Sequence, residues 1–303
     1  MSKIKFLVIL FLSAAACLRA APPVVRVHPT DNAPRIDGLL FEECWKQAER
    51  MERFTLDYPD TPASVETTAR ITFDNEHLYL AVNCEEPDLP NLKADVTEFD
   101  DRAIARDDCL EIFIAPERNP KRHFQIFVNP NGYYTDCAHE IGRMHTAWDW
   151  DSFARAASGR TRSSWTVEMA IPLLYLGLTE NVNRNWRFNI VRNRTEIVAK
   201  PDAEKKKKPN PKKNKQNKQN KQNKQNKQNK KKNKKQKPRR KTVSMTWAYT
   251  GGNSQKPWLF GMVLGPDGTP GFPDHWGLDN QKQLCTAMAA VVKGCDCYYK
   301  ACN

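Results

Sequence analysis

Apolar and polar residues alternate in short runs through most of this chain. In "TTARITFDNEHLYLAVNCEEPD", Ala69, Ile71 and Phe73 alternate with polar neighbours, "DNEH" supplies a turn, and Leu78, Leu80 and Val82 alternate back. A period of two is that of a half-buried strand, so this stretch predicts a hairpin. "DDCLEIFIAP" and "HFQIFVNPNGYYTD" predict the next pair, joined by the polar "ERNPKR". "SSWTVEMAIPLLYLGL" reads as a strand running into a turn of helix, with Pro172 at a first helical position. "NWRFNIVRNR", "VSMTWAY" and "LFGMVL" complete the strands. One segment departs from the period. In "PRIDGLLFEECWKQAERM", after a turn at Asp37-Gly38, Leu39, Leu40, Trp45 and Ala48 fall at roughly helical spacing and predict one short amphipathic helix.

Short strands separated by turn signals predict an all-β protein. The expected architecture is an antiparallel β-sandwich, jelly-roll or immunoglobulin-like, with one or two short helices. No repeat at a solenoid period is present. The sandwich spans 21–265, interrupted by a Lys/Asn/Gln-rich insertion over 203–241. That insertion has almost no apolar side chain to bury, so it cannot offset its own ordering entropy and is expected to be a long disordered surface loop. Such a loop is tolerated because closure entropy grows slowly with length. From 266 to 303 the chain reads as a Gly/Pro linker and a Cys-rich tail.

Composition changes this picture in two places. The formal net charge is +13, yet Lys205 to Lys241 holds 20 Lys and Arg and no Asp or Glu, which leaves 28 basic against 35 acidic residues elsewhere. The sandwich is therefore acidic, which argues against a basic nucleic-acid-binding domain with its charge on a folded face. The tract itself has two readings, an expanded repeat with no partner and a polybasic contact with anionic polysaccharide, cell surface or nucleic acid. At the other end, Lys3 and Lys5 precede "IKFLVILFLSAAAC" and "APP", the layout of a signal peptide over 1–20. The apolar run falls short of the about 20 residues a spanning helix needs. The expected localisation is export, to periplasm, medium or cell surface, with "SAAAC" offering lipid attachment at Cys17 as an alternative. Among the nine cysteines, Cys44, Cys84, Cys109 and Cys137 lie in apolar surroundings and read as small hydrophobes. Cys285, Cys295, Cys297 and Cys302 crowd the tail without zinc-site spacing.

Candidate chemistry centres on "DDCLEIFIAP". In a strand, Leu110, Ile112 and Ile114 share the aliphatic face that packs in the core. Cys109, Glu111 and Phe113 share the other, where Glu111 offers a fixed acceptor to a hydroxylated ligand. The structural reading of Glu111 is an ion pair across the sheet with Arg192 or Arg194. Asp107 and Asp108 have a plainer use in capping a loop-to-strand turn. Aromatic side chains bind sugar faces by stacking. In "GRMHTAWDWDSF", Trp148 and Trp150 stand two apart, and Trp247 and Trp258 are further candidates. Trp45, Trp165 and Trp186 belong to strongly patterned core segments.

Together these phrases resemble the family 9 carbohydrate-binding modules and their DOMON-like sugar-binding relatives. The resemblance runs in order through "PRIDGLLFEECW", "ARITFDNEHLYLAVNCEEPD", "RDDCLEIFIAPE", "HFQIFVNPNGY", "SWTVEMAIPLLYLG", "WRFNIVRNR" and "WLFGMVL", from Pro34 to Leu264. It implies a secreted sandwich that binds polysaccharide or oligosaccharide and supports glycan breakdown without being catalytic itself. It also implies a site. Glu111 matches the family's sugar-hydroxyl acceptor, Gln125 stands where an arginine is usual, and Asn253 matches an asparagine of the last loop. The tryptophans that usually clamp a sugar ring are replaced by Ala105 and Gln255. The resulting candidate set is Glu111, Gln125, Trp148, Trp150, Arg194, Trp247, Asn253 and Trp258.

Three other readings stay open at this stage, one of them an adhesion or assembly protein in which the sandwich is a scaffold and the lysine tract is functional. DOMON-like relatives include haem-binding redox modules, for which Met144, His145 and His139 are candidate ligands. A glycosidase needs two carboxyl groups about 5 Å or about 6.5–9.5 Å apart, and Glu111 with Glu168 or Asp108 is the available pairing. No nucleophile elbow, P-loop or Rossmann pattern occurs in a suitable setting. No cofactor is implied with certainty. The acidic loops "EEPD" and "DDRAIARDD" have the composition of a structural Ca²⁺ site.

Overall fold

The computed structural model describes residues 22–116, 122–140, 146–179, 182–198, 239–252 and 256–267. The expected signal sequence, Cys17, most of the lysine tract, Met144, His145, Asn253, Gln255 and the C-terminal cysteines lie outside the described residues. Two compact units are present: Met1–Asn193 with Ser244–Asn303, and Arg194–Val243.

The first unit is the sandwich. Among the described residues the strands, in chain order, are β1 Val24–Arg26, β2 Thr55–Leu56, β3 Thr67–Phe73, β4 His77–Glu85, β5 Cys109–Ala115, β6 Arg122–Val128, β7 Tyr134–Glu140, β8 Thr146–Ala147, β9 Arg155–Arg160, β10 Ser164–Pro172, β11 Asn185–Val198, β12 Arg239–Thr246 and β13 Gly261–Leu264. The smaller sheet runs β3-β4-β10-β9. The larger has nine strands, in the order β1-β13-β11-β5-β6-β7-β8, with β12 pairing β11 and β2. The second unit holds the end of β11 and the start of β12, and within it Arg194 pairs with Glu196 at 2.6 Å.

The hairpin expected from alternation is β3-β4. Its inward residues are direct partners, Phe73 with Leu78, Ile71 with Leu80 and Ala69 with Val82, and all six are buried. Asp74 closes the turn, its Oδ1 accepting from the backbone N–H of Glu76 and His77 at 2.8 and 2.7 Å. On β5, Leu110, Ile112 and Ile114 are fully buried and pair with Val128, Ile126 and Phe124 of β6. Each such side chain contributes about 1.5–3 kcal/mol by leaving water.

Arg192 of β11 points into the layer between the sheets. Its Nη1 donates to Glu66 O and Thr67 Oγ1 at 3.2 and 3.1 Å, and its Nη2 donates to Glu85 O at 2.8 Å and Glu86 Oε2 at 3.2 Å. The strand paired with the one that carries the candidate acid is thereby tied to the opposite sheet.

Several expectations need correction. The amphipathic helix is only α1, Glu43–Gln47. The residues before it follow another constraint: Glu168 of β10, fully buried, accepts from Asp37 N at 3.0 Å, Gly38 N at 2.7 Å and Trp45 Nε1 at 2.7 Å. Residues 37–45 therefore wrap around one carboxylate, and Leu39 and Phe41 are left exposed. Gly38, at φ 85°, lies so close to Ser158 and Gly159 of β9 that neither glycine has room for a Cβ. Pro172 is the last residue of β10 and the N-cap of α2, Leu173–Leu176, so it precedes that helix. The sandwich is not wholly antiparallel, because β1 runs parallel to β13. Asp107 and Asp108 do more than cap their own turn. Asp107 accepts from Asp95 N, Val96 N and Asn129 Nδ2 at 3.0, 3.0 and 3.1 Å, and Asp108 accepts from Lys93 N at 2.7 Å, so together they fasten the 93–96 segment.

The four described cysteines are free and buried, as their apolar surroundings predict. Burial raises the thiol pKa of Cys44 to about 11 and of Cys84 and Cys137 to about 12, which keeps them protonated and unreactive at neutral pH.

Candidate functional site

The outward face of the larger sheet is set by alternation. With Leu110, Ile112 and Ile114 turned to the core, β5 presents Cys109, Glu111 and Phe113 outward. The aligned positions are Phe127 and Gln125 on β6, Cys137 and His139 on β7, and Asn189, Val191 and Asn193 on β11. Phe260 covers one part of this face, packed on Phe113, Ala115 and Val191. Asn189 is used up structurally, its amide donating to Ala248 O at 2.9 Å and accepting from Ala248 N at 2.8 Å.

Between these covered patches lies a polar row. Gln125 Nε2 donates to Glu111 Oε2 at 2.6 Å, and Asn193 Nδ2 donates to Glu111 Oε1 at 2.5 Å. Each donor is itself fixed. Ser244 Oγ donates to Asn193 Oδ1 at 2.6 Å. Gln125 Oε1 lies 2.8 Å from His139 Nε2, and His139 Nδ1 lies 3.3 Å from Thr146 Oγ1. If Nε2 carries the proton, every contact in the row has a donor and an acceptor. His139 also stacks on His123 with ring centroids 4.6 Å apart. Burial lowers the His139 pKa to about 4, so the ring is neutral at physiological pH. Burial also raises the Glu111 carboxyl above its usual range, with Asp57 adding repulsion and the two amides opposing the shift.

Glu111 is thus held in one orientation by neutral donors, each oxygen accepting one identified bond. A carboxylate has about four lone-pair sites, so further hydroxyl donors can be received. The expected ion pair with an arginine is not what holds it. Arg192 lies on the other face with Glu86, and Arg194 belongs to the second unit with Glu196. Asn193, Ser244 and His139 were not singled out for this role. Alternation carries the signal for Asn193, because Phe188, Ile190 and Arg192 take the inward positions and leave 189, 191 and 193 outward.

The aromatic candidates separate. Trp148 is half-buried and joins the site: it stacks on Phe127, the cross-strand partner of Glu111, at 6.4 Å, and the Arg102 guanidinium lies 4.5 Å from its ring centroid. Trp148 also packs on the cluster of Val96, Ile104, Cys109 and Phe127, whose Ile104 lies in the 3-10 turn Arg102–Arg106 that carries exposed Ala105. Trp150 goes to the other side of β6, stacked on Phe124 at 4.4 Å, because the chain turns at 148–149. The two indoles therefore do not share a face. Trp247 is a core residue, lying against Gly261 and edge-on to Phe188. Trp258 is 40% exposed, and its carbonyl accepts from Arg187 Nη1 at 3.1 Å.

Glu111 and Glu168 do not form a facing pair. Glu111 projects from the outer side of the larger sheet. Glu168 lies on the outer side of the smaller one, since the alternate residue Trp165 meets Arg192 between the sheets. The whole sandwich separates them. Among the described residues, no three His, Cys, Asp or Glu side chains gather as a metal site. Among those residues, too, no helix is long and apolar enough to cross a membrane.

A family model described as "Carbohydrate family 9 binding domain-like" matches residues 36–264. Three solved structures are similar. One, from Bacteroides uniformis and described as a "putative carbohydrate-binding protein", has 14% identity and a TM-score of 0.54, covering 80% of this chain and 99% of its own. A family 9 module from Caldicellulosiruptor kristjanssonii in complex with cellotriose has 17% identity and a TM-score of 0.47, covering 83% of this chain and 96% of its own. The glucose complex from the same organism has 16% identity, a TM-score of 0.47 and coverage of 82% and 97%. At these identities, structural likeness speaks to fold alone. No curated protein sequence matches the chain.

Proposed function

The chain belongs to the carbohydrate family 9 binding domain-like family, and on that premise we propose that it is an exported, non-catalytic module that holds a saccharide against the Glu111 row. One observation carries this reading: a carboxylate on a rigid central strand, oriented by Gln125 and Asn193 and flanked by the Trp148 ring. Glu111 accepts from sugar hydroxyls, Gln125 and Asn193 keep it from turning, and Trp148 lines the rim with apolar surface for a pyranose face. Because these groups are fixed by strand pairing, little ordering entropy remains to be lost on binding. The module then supports polysaccharide breakdown by keeping itself, or a partner glycoside hydrolase, on the polymer. The lysine tract adds attraction to anionic glycans, a reading supported by the contrast between its charge and that of the rest of the chain.

The test is calorimetric titration of the full chain with glucose, cellotriose and xylo-oligosaccharides, beside Glu111→Ala. A hydrogen bond to a charged group is worth about 1.5–3 kcal/mol, so the variant loses roughly 10- to 100-fold in affinity. Binding that is unchanged in Glu111→Ala refutes the site. Deleting Lys205 to Lys241 tests the tract separately, against alginate and a sulfated glycan.

A further inference from the structure

A second group of exposed aromatics lies away from the Glu111 row, at the start of β7. Phe99 is 56% exposed and packs edge-on to Tyr134 at 5.1 Å and tilted on Tyr133 at 5.2 Å. Tyr134 begins β7, three residues before Cys137, and its hydroxyl donates to Ala154 O at 2.8 Å. Ala154 follows Phe153, which is 54% exposed and packs on Tyr175 at 4.4 Å, beside Leu174, which is 70% exposed. Two ring pairs, Phe99 with Tyr134 and Phe153 with Tyr175, are thus linked by the Tyr134 hydroxyl bond to the backbone of Ala154, next to Phe153.

These exposed rings are held in place. Phe153 has φ 52° and Asp100, next to Phe99, has φ 61°. A bulky side chain in the left-handed region carries a conformational cost, and leaving its ring in water adds another. The corner is fixed all the same. Asp151 Oδ1 accepts from Phe153 N at 2.6 Å, Asp136 Oδ2 accepts from Ser152 N and Oγ at 2.9 and 2.5 Å, and Asp100 N donates to Tyr134 O at 3.1 Å. Neither the exposure nor the strain serves the core.

Carboxylates punctuate the rings. Asp100 and Asp151 are exposed, and both act on Tyr134, whose phenol pKa is raised to about 12 by burial and then by Asp151, Asp136 and Asp100. Arg155 at the start of β9 is an exposed cation on this edge. Flat apolar rings alternating with fixed acceptors match the apolar faces and hydroxyl rim of a sugar chain. Paired acids disfavour uronate or sulfate.

We propose that Phe99, Tyr134, Phe153 and Tyr175 form a second carbohydrate-contacting ledge, which takes a strand of neutral polysaccharide. The ledge rests on the carbohydrate-binding reading above and extends it from a single sugar site to the polymer. Its geometry is independent of Glu111.

The test compares the full chain with Phe99→Ala/Phe153→Ala/Tyr175→Ala and with Glu111→Ala. Retention is measured on insoluble cellulose, xylan and mannan, and on alginate beads; glucose and cellotriose are titrated by calorimetry; melting and sedimentation are followed in parallel. Each lost stacking contact is expected to weaken binding by about two- to tenfold. The triple variant should thus lose at least about tenfold in retention on one neutral polymer while melting cooperatively and keeping its glucose affinity. Phe153→Gly, which relieves the backbone strain, should be more stable yet retained less, separating the ledge from any folding defect. Full retention of the folded triple variant on every neutral polymer overturns the proposal, as does a wild-type chain that no neutral polymer retains. A variant that shifts from dimer to monomer without loss of retention assigns the ledge to a second copy and overturns it too. If Glu111→Ala leaves glucose binding intact, the Glu111 site fails, and the ledge is still decided by polymer retention.

Discussion

Replacing Arg192 with methionine tests the claim that this arginine ties the two sheets together and does not orient Glu111. The side chain is 1% exposed and makes four hydrogen bonds across the sandwich, including one to the 4%-exposed Glu86. Methionine fills similar volume but returns none of those bonds, and it leaves a buried carboxylate without its cation. Breaking a buried pair by removing one partner costs about 3–5 kcal/mol. A kilocalorie shifts the melting point of a domain of this size by about 2–4 °C, so Arg192→Met should melt roughly 6–20 °C lower. Urea unfolding of Arg192→Met, Glu86→Gln and the double variant measures the terms. The double variant should be more stable than the sum of the singles by at least about 1 kcal/mol, since neither charge is then stranded. The folded Arg192→Met protein should bind sugar as the parent does. A loss below about 1 kcal/mol refutes the cross-sheet reading. A normal fold with abolished sugar binding would return the arginine to Glu111.

Other expectations follow from the same contacts. His139→Gln, which can place an amide N–H near the original Nε2, should keep sugar affinity within about twofold, whereas His139→Ala should lose about 1 kcal/mol, roughly fivefold, by calorimetry. The pKa of His139 is lowered from 6.5 to about 4, so its contribution to stability is full above pH 6.5 and is lost as pH falls toward 4. His139→Gln should remove that component from the wild-type-minus-variant difference in urea, at most about 3 kcal/mol and less for a half-buried ring. Gly159→Ala puts a methyl against the Gly38 carbonyl and should cost at least about 2 kcal/mol, read as a lower urea midpoint with unchanged slope. Glu168→Ala should destabilise the protein by about 3 kcal/mol or more through three stranded donors, while sugar affinity in the folded fraction is unchanged.

Alternation of period two was enough to read the β3-β4 hairpin and β5 with its aliphatic face, because those strands bury one side against the facing sheet. It failed where another constraint governed the chain. The spacing of Leu39, Leu40 and Trp45 imitates a helix, yet the segment is shaped by three donors converging on Glu168, more than 120 positions later. No local pattern announces such a partner. For the candidate site, the sequence pointed to Glu111 through its strand face and to Gln125 through the family resemblance, and the structure places the two in contact. It misjudged what holds Glu111, because an arginine on another strand is a tempting cross-sheet pair until the parity of Arg192 is followed through. The tryptophans show the limit of counting by two: Trp148 and Trp150 would share a face in a strand, and a turn at 148–149 sends them to opposite sides.

The parallel pairing of β1 with β13 has a consequence for how the chain reaches this state. Val24, Val25 and Arg26 find their partners only at Met262, Val263 and Leu264. The first strand must therefore wait until nearly every other strand has been made. Contacts of such long sequence separation slow folding, because the loop-closure entropy is lost before the contacts form. A ribosome-bound chain stalled before Gly261 should keep β1 open to protease while the β3-β4 hairpin is already protected. Completion of the sandwich becomes a late, all-or-none event set by four residues near its end.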